Sequence, residues 1–481
     1  MERTVAYCPP RLLLESFSVP KIMTSTASGS GKIDISLSFT YENKPLQANQ
    51  CRLLKLLETS TEDEIHVSLS ICLLDFEQRD SYYYALSYTW GHPFDEKEDQ
   101  SKSTCNGSPP TVVYGETRVE IRRNLFEALS QLAAKRYFVY LWIDAICIDQ
   151  MDEVEKTQQI RLMAEIYSKA KEVFIWLGRG GDKSELAIAL LNEYWVLHLY
   201  SLGQNQHIPF NDREFLASHN LDPLTESQWR SILIFYRRRW FRRVWTLQEA
   251  SLAYNKRTFC GSEEFDLDQA MLFAAFIMNT GWVQDLYALG QDLPYGRDNG
   301  FAAAASLIQW IGSNWQGRGL GLLPPYSILS KQYREPTPED IWLATVNRLI
   351  CCTRMRGAAK PEDKILAPLT LASKFMWGVM PSMKVELTRL MECQLNSQQL
   401  YTEFTTFMIN SSFDLAILSQ VNGDLPNTKL PSWVPDYNTT DKGSLLDLRS
   451  FDATRFLCKK GALHERGKTT TPISYSEVEL K

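Results

Sequence analysis

The sequence predicts an α/β fold with helices flanking a sheet, and three observations carry that prediction. Residues 139–143 and 173–177 are short apolar runs rich in β-forming side chains. Between them Ile160, Met163, Tyr167 and Ala170 recur at helical spacing. Strand, helix and strand within about 40 residues is the size of one βαβ unit. Upstream, Ile65, Val67, Leu69 and Ile71 alternate, so further strands precede that unit.

In chain order, residues 1–45 hold a flexible linker at Ser25–Lys32 (STASGSGK), which lacks the full phosphate-loop spacing. Residues 51–57 and 65–73 read as strands. A further strand carries Tyr82, Tyr84, Leu86 and Tyr88 and ends in the turn Thr89-Trp90-Gly91-His92-Pro93. Residues 95–111 read as a surface loop, 112–121 as a hairpin, and Arg123-Asn124 open a helix. After the βαβ unit come an amphipathic helix at 184–200, a polar loop at 203–225, a helix at 229–236 and a short strand at 257–261. Beyond that the pattern is helical at 267–281, 301–315, 341–352, 364–375 and 400–409, with a loop at 284–299. Pro324, Pro325, Pro336 and Pro338 punctuate this part, and Pro431 and Pro435 fix an extended segment. The predicted organisation is a 1–45 segment, an α/β domain over 46–261, a mainly helical region over 262–440 and a polar tail from 441.

A chain of 481 residues with 44% apolar side chains can build real cores. Its net charge of -6 gives no global attraction to nucleic acid. The ten cysteines show no CxxC and no zinc-ligand spacing. No apolar window reaches the ~18 residues of a spanning helix, and the first residues lack a signal-peptide layout. The expectation is a reduced, cytoplasmic protein with no metal, no membrane span and no nucleic-acid partner.

Four groups of residues are candidates for chemistry. Asp144 stands where a buried strand ends, the place where ligands gather in open parallel sheets. An ionised carboxylate there needs a partner. Asp149, Asp152, Glu153 and Glu155 follow, and their plainer use is to cap the next helix and complement its dipole. Arg237, Arg238, Arg239, Arg242 and Arg243 interleave with Tyr236, Trp240, Phe241 and Trp245. They suit either a phosphate contact or a solvated helix end with guanidinium–aromatic stacking. Glu249, flanked by Trp245, Leu247, Ala250 and Leu252, reads as a partly buried acid of raised pKa or as one half of an arginine salt bridge. Trp90-Gly91 offers an aromatic lid beside a backbone that a ligand can approach, or a packed tryptophan in a turn.

The segments YALSYTWG (84–91), RNLFEAL (123–129), LWIDAICIDQMDEVEKTQQIRLMAEIYSKAKEVFIWLG (141–178) and RRRWFRRVWTLQEASLA (237–253) together resemble the heterokaryon incompatibility (HET) domain of filamentous fungi. TRMRGAAKPEDKILAPLTLA (353–372) and LPSWVPDYN (430–438) resemble segments that follow that domain. The resemblance implies a role in non-self recognition, in which fusion of incompatible cells triggers programmed cell death. HET domains have been likened to TIR domains, which implies a flavodoxin-like sheet, with the strands at 51–57 and 65–73 as N-terminal β additions to it. Some TIR domains cleave NAD at the nicotinamide–ribose bond with a glutamate, and Glu249 occupies a comparable place.

These implications leave three functions: a signalling domain that self-associates or binds a protein partner, an NAD-consuming hydrolase, and a non-catalytic regulator or scaffold. For the hydrolase, NAD is the candidate substrate and Glu249 and Asp144 are the candidate catalytic residues. Arg242, Arg243, Trp90 and Gly91 are the candidate ligand contacts.

Overall fold

The computed structural model describes residues 35–36, 39, 41, 46–74, 82–94, 109–181, 183–201, 208–293, 300–311, 337–374, 381–392, 395–411, 416–421 and 429–439. The Ser25–Lys32 linker, most of the 95–111 loop, Pro324, Pro325, Pro336 and the 441–481 tail lie outside these residues. The chain divides into two compact units. One is Met1–Leu322 with Arg356–Ala359, and the other is Leu323–Met355 with Lys360–Lys481.

The first unit carries a mixed sheet. Its strands are β1 (Ile35–Ser36), β2 (Gln50–Leu56), β3 (Ile65–Leu73), β4 (Tyr83–Tyr88), β5 (Thr111–Tyr114), β6 (Thr117–Glu120), β7 (Tyr140–Trp142), β8 (Val173–Trp176), β9 (Lys256–Cys260) and β10 (Glu263–Phe265). Their spatial order is β1-β6-β5-β3-β2-β7-β4-β8-β9-β10. The run β7-β4-β8-β9 is parallel throughout. In chain order these strands stand second, first, third, fourth, the doubly wound order of flavodoxin-like sheets. The N-terminal additions join at β2, antiparallel to β7, and continue through β3, β5, β6 and β1.

The central strands read as unbroken apolar runs because both of their faces are covered. β8 is VFIW, and every residue of it is buried. On one face Tyr84 stacks on Phe174 at 4.8 Å, and Tyr137 packs on the same ring at 5.0 Å. Helix Arg123–Ala134 is tied to that face through Asn124, which accepts a hydrogen bond from Trp176 Nε1 (2.8 Å). On the opposite face lies helix Glu153–Lys169. Tyr83 donates to its Ile166 carbonyl (2.7 Å), and its Tyr167 lies edge-on to Trp142 at 5.5 Å.

Among the acids at 149–155, Asp152 caps this helix, accepting from the Val154 and Glu155 amides (2.9 and 3.1 Å). Glu155 is buried and forms a two-pronged ion pair with buried Arg52 (Nη2–Oε2 2.9 Å). It also accepts the Asp149 amide (2.7 Å).

Several element predictions need correction. The predicted polar loop at 203–225 contains helix Arg213–Ser218, and helix Val283–Leu289 runs into the predicted loop at 284–299. The single helix predicted at 184–200 ends at Tyr194 and continues as a 3-10 turn, Trp195–Leu197. Helix Pro381–Glu392 has no counterpart in the prediction. The 213–218 and 283–289 helices are too short to show a full apolar period. They are stabilised by context instead: Asp212 caps the Phe215 amide (2.7 Å), and Leu216 and Leu286 are buried.

The second unit is helical in its described residues: Pro338–Thr353, Asp363–Ser373, Pro381–Glu392 and Ser397–Ser411. Buried Arg354 bonds the carbonyls of Gln420 (2.6 Å) and Asp436 (3.1 Å), which anchors the Pro-rich segment. Buried Lys364 donates to the Arg354 carbonyl (2.8 Å).

The loop after β8 meets the loop after β4 at Gly178. Its φ is +104°, and a Cβ there would stand 2.2 Å from Pro93 Cγ. A proline ring cannot swing aside. Gly178→Ala is therefore expected to destabilise the first unit by roughly 2–3 kcal/mol, from backbone strain plus overlap. A denaturant midpoint equal to wild type would show that the two loops do not pack this way.

Candidate functional site

The carboxyl ends of β4 and β7 meet the 240–251 segment beside the switch point of the parallel sheet. Ser87 lies on β4 and, by strand alternation, faces the same way as Tyr83 and Ala85. Its hydroxyl donates to Glu249 Oε2 and accepts from Trp240 Nε1 (2.8 Å). Glu249 belongs to helix Thr246–Ser251 and is only 2% exposed. Burial pushes its carboxyl from the ordinary 4.5 up to about 7. Arg243 and the Ser87 hydrogen bond oppose that rise, and Asp144 adds to it.

Asp144 opens the short helical turn Asp144–Cys147 directly after β7. It accepts from Trp90 Nε1 (2.7 Å) through Oδ2 and from the Ala145 amide (2.8 Å) through Oδ1. Desolvation raises its pKa, with Arg243 and the Trp90 bond acting against it. Arg243 thus sits in the field of both carboxylates, and its guanidinium donates to the Tyr88 carbonyl. The Arg122 guanidinium lies over the Trp90 ring at 5.6 Å. The Tyr88 hydroxyl is buried and has no hydrogen-bond partner among the described residues, and the same holds for both amide atoms of Gln248.

Of the residues singled out in the sequence, Asp144, Arg243, Glu249 and Trp90 therefore come together. Gly91 lies in the turn that follows Trp90. Arg242 bonds the Arg237 carbonyl instead (3.3 Å). Arg238 keeps the aromatic stacking of the helix-end reading, but neither it nor Arg237 has the exposure to solvent. Arg237 and Arg238 are both 1% exposed and act as backbone staples. Arg237 reaches the carbonyls of Leu293 and Gly290 (2.9 and 2.7 Å). Arg238 reaches those of Leu177 and Arg179 (3.1 and 3.2 Å) and lies over Phe94. Glu249 takes its hydrogen bond from a serine, where the plainer sequence reading offered an arginine.

Sequence reasoning passed over Ser87 and Arg356, and read Trp240 only as a stacking partner for the arginines. Arg356 is fully buried. It donates to the Phe241 carbonyl (2.8 Å), the Arg243 carbonyl (3.3 Å) and the Thr246 hydroxyl (3.3 Å). On its other side it reaches Ser306 Oγ (3.1 Å) and the Ala303 carbonyl. Its neighbour Gly357 forms a parallel bridge with Arg243, in which the Val244 amide bonds the Gly357 carbonyl (2.9 Å). The turn that presents Arg243 and Glu249 is therefore braced from more than a hundred positions away. The one sequence signal was the TRMRG motif at 353–357.

A buried carboxyl balanced near neutral pH can give or take a proton, or stabilise a developing positive charge when ionised. Arg243 supplies a full positive charge that acts on both carboxyls, and suits an anionic ligand group. No group of three His, Cys, Asp or Glu among the described residues is placed to hold a metal.

Residues 83–249 match the family model of the heterokaryon incompatibility protein (HET). The chain carries a HET domain. A curated relative, heterokaryon incompatibility protein 6, OR allele, of Neurospora crassa, is 31% identical over 201 residues. That match covers 37% of this chain and 28% of the relative. No solved structure matches. The HET match opens with β4 and closes on Glu249, so it contains Ser87, Asp144, Trp240, Arg243 and Glu249. Arg356 lies beyond it. No helix among the described residues is long and apolar enough to cross a membrane.

Proposed function

We propose that this chain acts in fungal non-self recognition through its HET domain, in the cytoplasm, and that its engagement by a protein partner or a second copy triggers cell death. The observation that carries this reading is the Asp144–Arg243–Glu249 cluster with its Ser87 contact. It is assembled from three separated HET motifs at the ligand-binding end of the sheet. The relative's name supports the recognition role. The test is induced expression in a filamentous fungus. Wild type is expected to arrest growth, and Glu249→Gln and Asp144→Asn to relieve the arrest at equal protein level. Growth unaffected by wild type would refute the cell-death part. Arrest that persists in both variants would point to a scaffold role in which the cluster is structural.

A second reading is that this cluster hydrolyses NAD to nicotinamide and ADP-ribose. It is favoured by a buried glutamate poised near pH 7 within the field of an arginine. Ionised Glu249 would stabilise the positive charge that develops on the ribose, and Arg243 would hold a phosphate. The buried, unpartnered Tyr88 hydroxyl and Gln248 amide are groups that a ligand or water would satisfy. Purified protein at high concentration is expected to release nicotinamide from NAD, and Glu249→Gln to lower the rate at least ~100-fold, as loss of a charge stabiliser does. No release by wild type would exclude this reading and leave the recognition role untouched.

A further inference from the structure

Strands β2 and β3 lie outside the family match and carry a feature that the site above does not use. Cys51 and Cys72 are direct partners across the antiparallel ladder, and both are free thiols. The phase of that ladder can be read from its ends. The Leu74 amide bonds the Asn49 carbonyl (2.8 Å), and the Leu57 amide bonds the His66 carbonyl (3.0 Å). Odd-numbered residues of β2 therefore occupy hydrogen-bonded positions, where facing Cα atoms stand about 5.5 Å apart. That separation falls within the range a disulfide spans. Directly paired residues also project their side chains to the same face of the sheet.

The two thiols are not equivalent. Cys51 is completely buried, and Cys72 keeps 5% exposure near the end of β3, next to Leu73, which is 67% exposed. The Tyr82 hydroxyl donates to Cys72 Sγ (2.9 Å). Hydrogen bonds from Cys51 and Tyr82 hold the Cys72 thiol below its ordinary pKa, whereas Cys51 is pushed up. Among the described residues, Cys147 is a further thiol close to Cys51. It is fully buried and pushed up to about 12, so it stays a thiol and does not compete.

We propose that Cys51 and Cys72 form a peroxide-oxidised pair, with Cys72 as the reacting thiolate and Cys51 as the resolving thiol. The Cys72 sulfur attacks one oxygen of hydrogen peroxide, the O–O bond breaks, and the departing hydroxide takes up a proton as water. This leaves a sulfenic acid on Cys72. The Cys51 sulfur then attacks the Cys72 sulfur, the S–O bond breaks, and the leaving hydroxide takes the Cys51 proton as a second water. Two thiols are oxidised to one disulfide and one peroxide is reduced to two waters. The bond covalently locks β2 to β3. β2 also carries Arg52, the partner of Glu155 in the loop and helix that follow Asp144.

The test exposes the full-length protein to stoichiometric hydrogen peroxide, blocks free thiols, and maps peptides by mass spectrometry. A Cys51–Cys72 linked peptide is expected as the main oxidised species, ahead of any product at half-buried Cys351 or Cys352. Cys51→Ser is expected to stop at a sulfenic acid on Cys72 that dimedone traps. Tyr82→Phe keeps both thiols and is expected to slow the oxidation about threefold to tenfold at pH 7, because less thiolate is present. Recovery of both cysteines as free thiols in wild type overturns the proposal. So does dimedone labelling confined to other cysteines in Cys51→Ser.

Discussion

Glu249→Gln is expected to make the protein more stable above neutral pH while abolishing what the HET domain does. The buried carboxyl titrates at about 7 in the folded chain and at the ordinary 4.5 when exposed. Below 4.5 both states hold the proton and burial costs nothing extra. Between 4.5 and 7 the unfolded chain releases its proton while the folded chain keeps it, so stability falls as pH rises. Above 7 the folded state carries an ionised, desolvated carboxylate. At about 1.4 kcal/mol per pKa unit the cost reaches roughly 3 kcal/mol. Glutamine keeps the acceptor for Ser87 and removes the charge. Denaturant midpoints at pH 4, 6 and 8 check this. The two proteins should coincide at pH 4 and diverge by pH 8, with glutamine ahead. Parallel curves across the whole range would mean that Glu249 is not desolvated in solution.

Arg356→Ala is expected to cost about 3–5 kcal/mol and to disorder the turn bearing Arg243 and Glu249. The substitution removes a charge-assisted donor from the carbonyls of Phe241, Arg243 and Ala303 and from the Thr246 and Ser306 hydroxyls. Among the described residues the Arg243 carbonyl keeps only the Thr246 hydroxyl, and the Ala303 carbonyl the Ser306 hydroxyl, as side-chain donors, and the space of a buried guanidinium is left empty. Each buried group left unsatisfied costs about 1–3 kcal/mol before relaxation. Arg356→Lys retains the charge but not the fork that reaches both sides, so an intermediate loss is expected. Hydrogen exchange of the 240–251 amides separates this from a general loss of stability. Protection there should fall further than in β8 and β9. Uniform loss would show that Arg356 supports the whole unit and has no particular hold on this turn.

Much of the sheet could be read from the chain because β4, β7 and β8 are short apolar runs bounded by a turn, an acid or a glycine. Asp144 and Glu249 stood out for the converse reason, as acids among apolar neighbours that needed a partner. Their partners did not stand out. Ser87 looks like one more small residue in a strand, and its role comes from facing a helix 162 residues later. Arg237 and Arg238 carry full charges in a run that reads as surface, and only the backbone carbonyls around them show why they are buried. Composition and periodicity report which face a residue prefers. They do not report which distant carbonyl it will meet.

Residues 356–359 belong to the first unit although the chain on either side of them belongs to the second. On the ribosome, this separates making Glu249 from setting it in place. About a hundred further residues must be added before Arg356 emerges, which takes roughly 5–20 s at ordinary rates of synthesis. Until then the nascent domain has its carboxylates but not the brace that orients them. The first unit is thereby completed only after helix Pro338–Thr353 of the second unit has been synthesised.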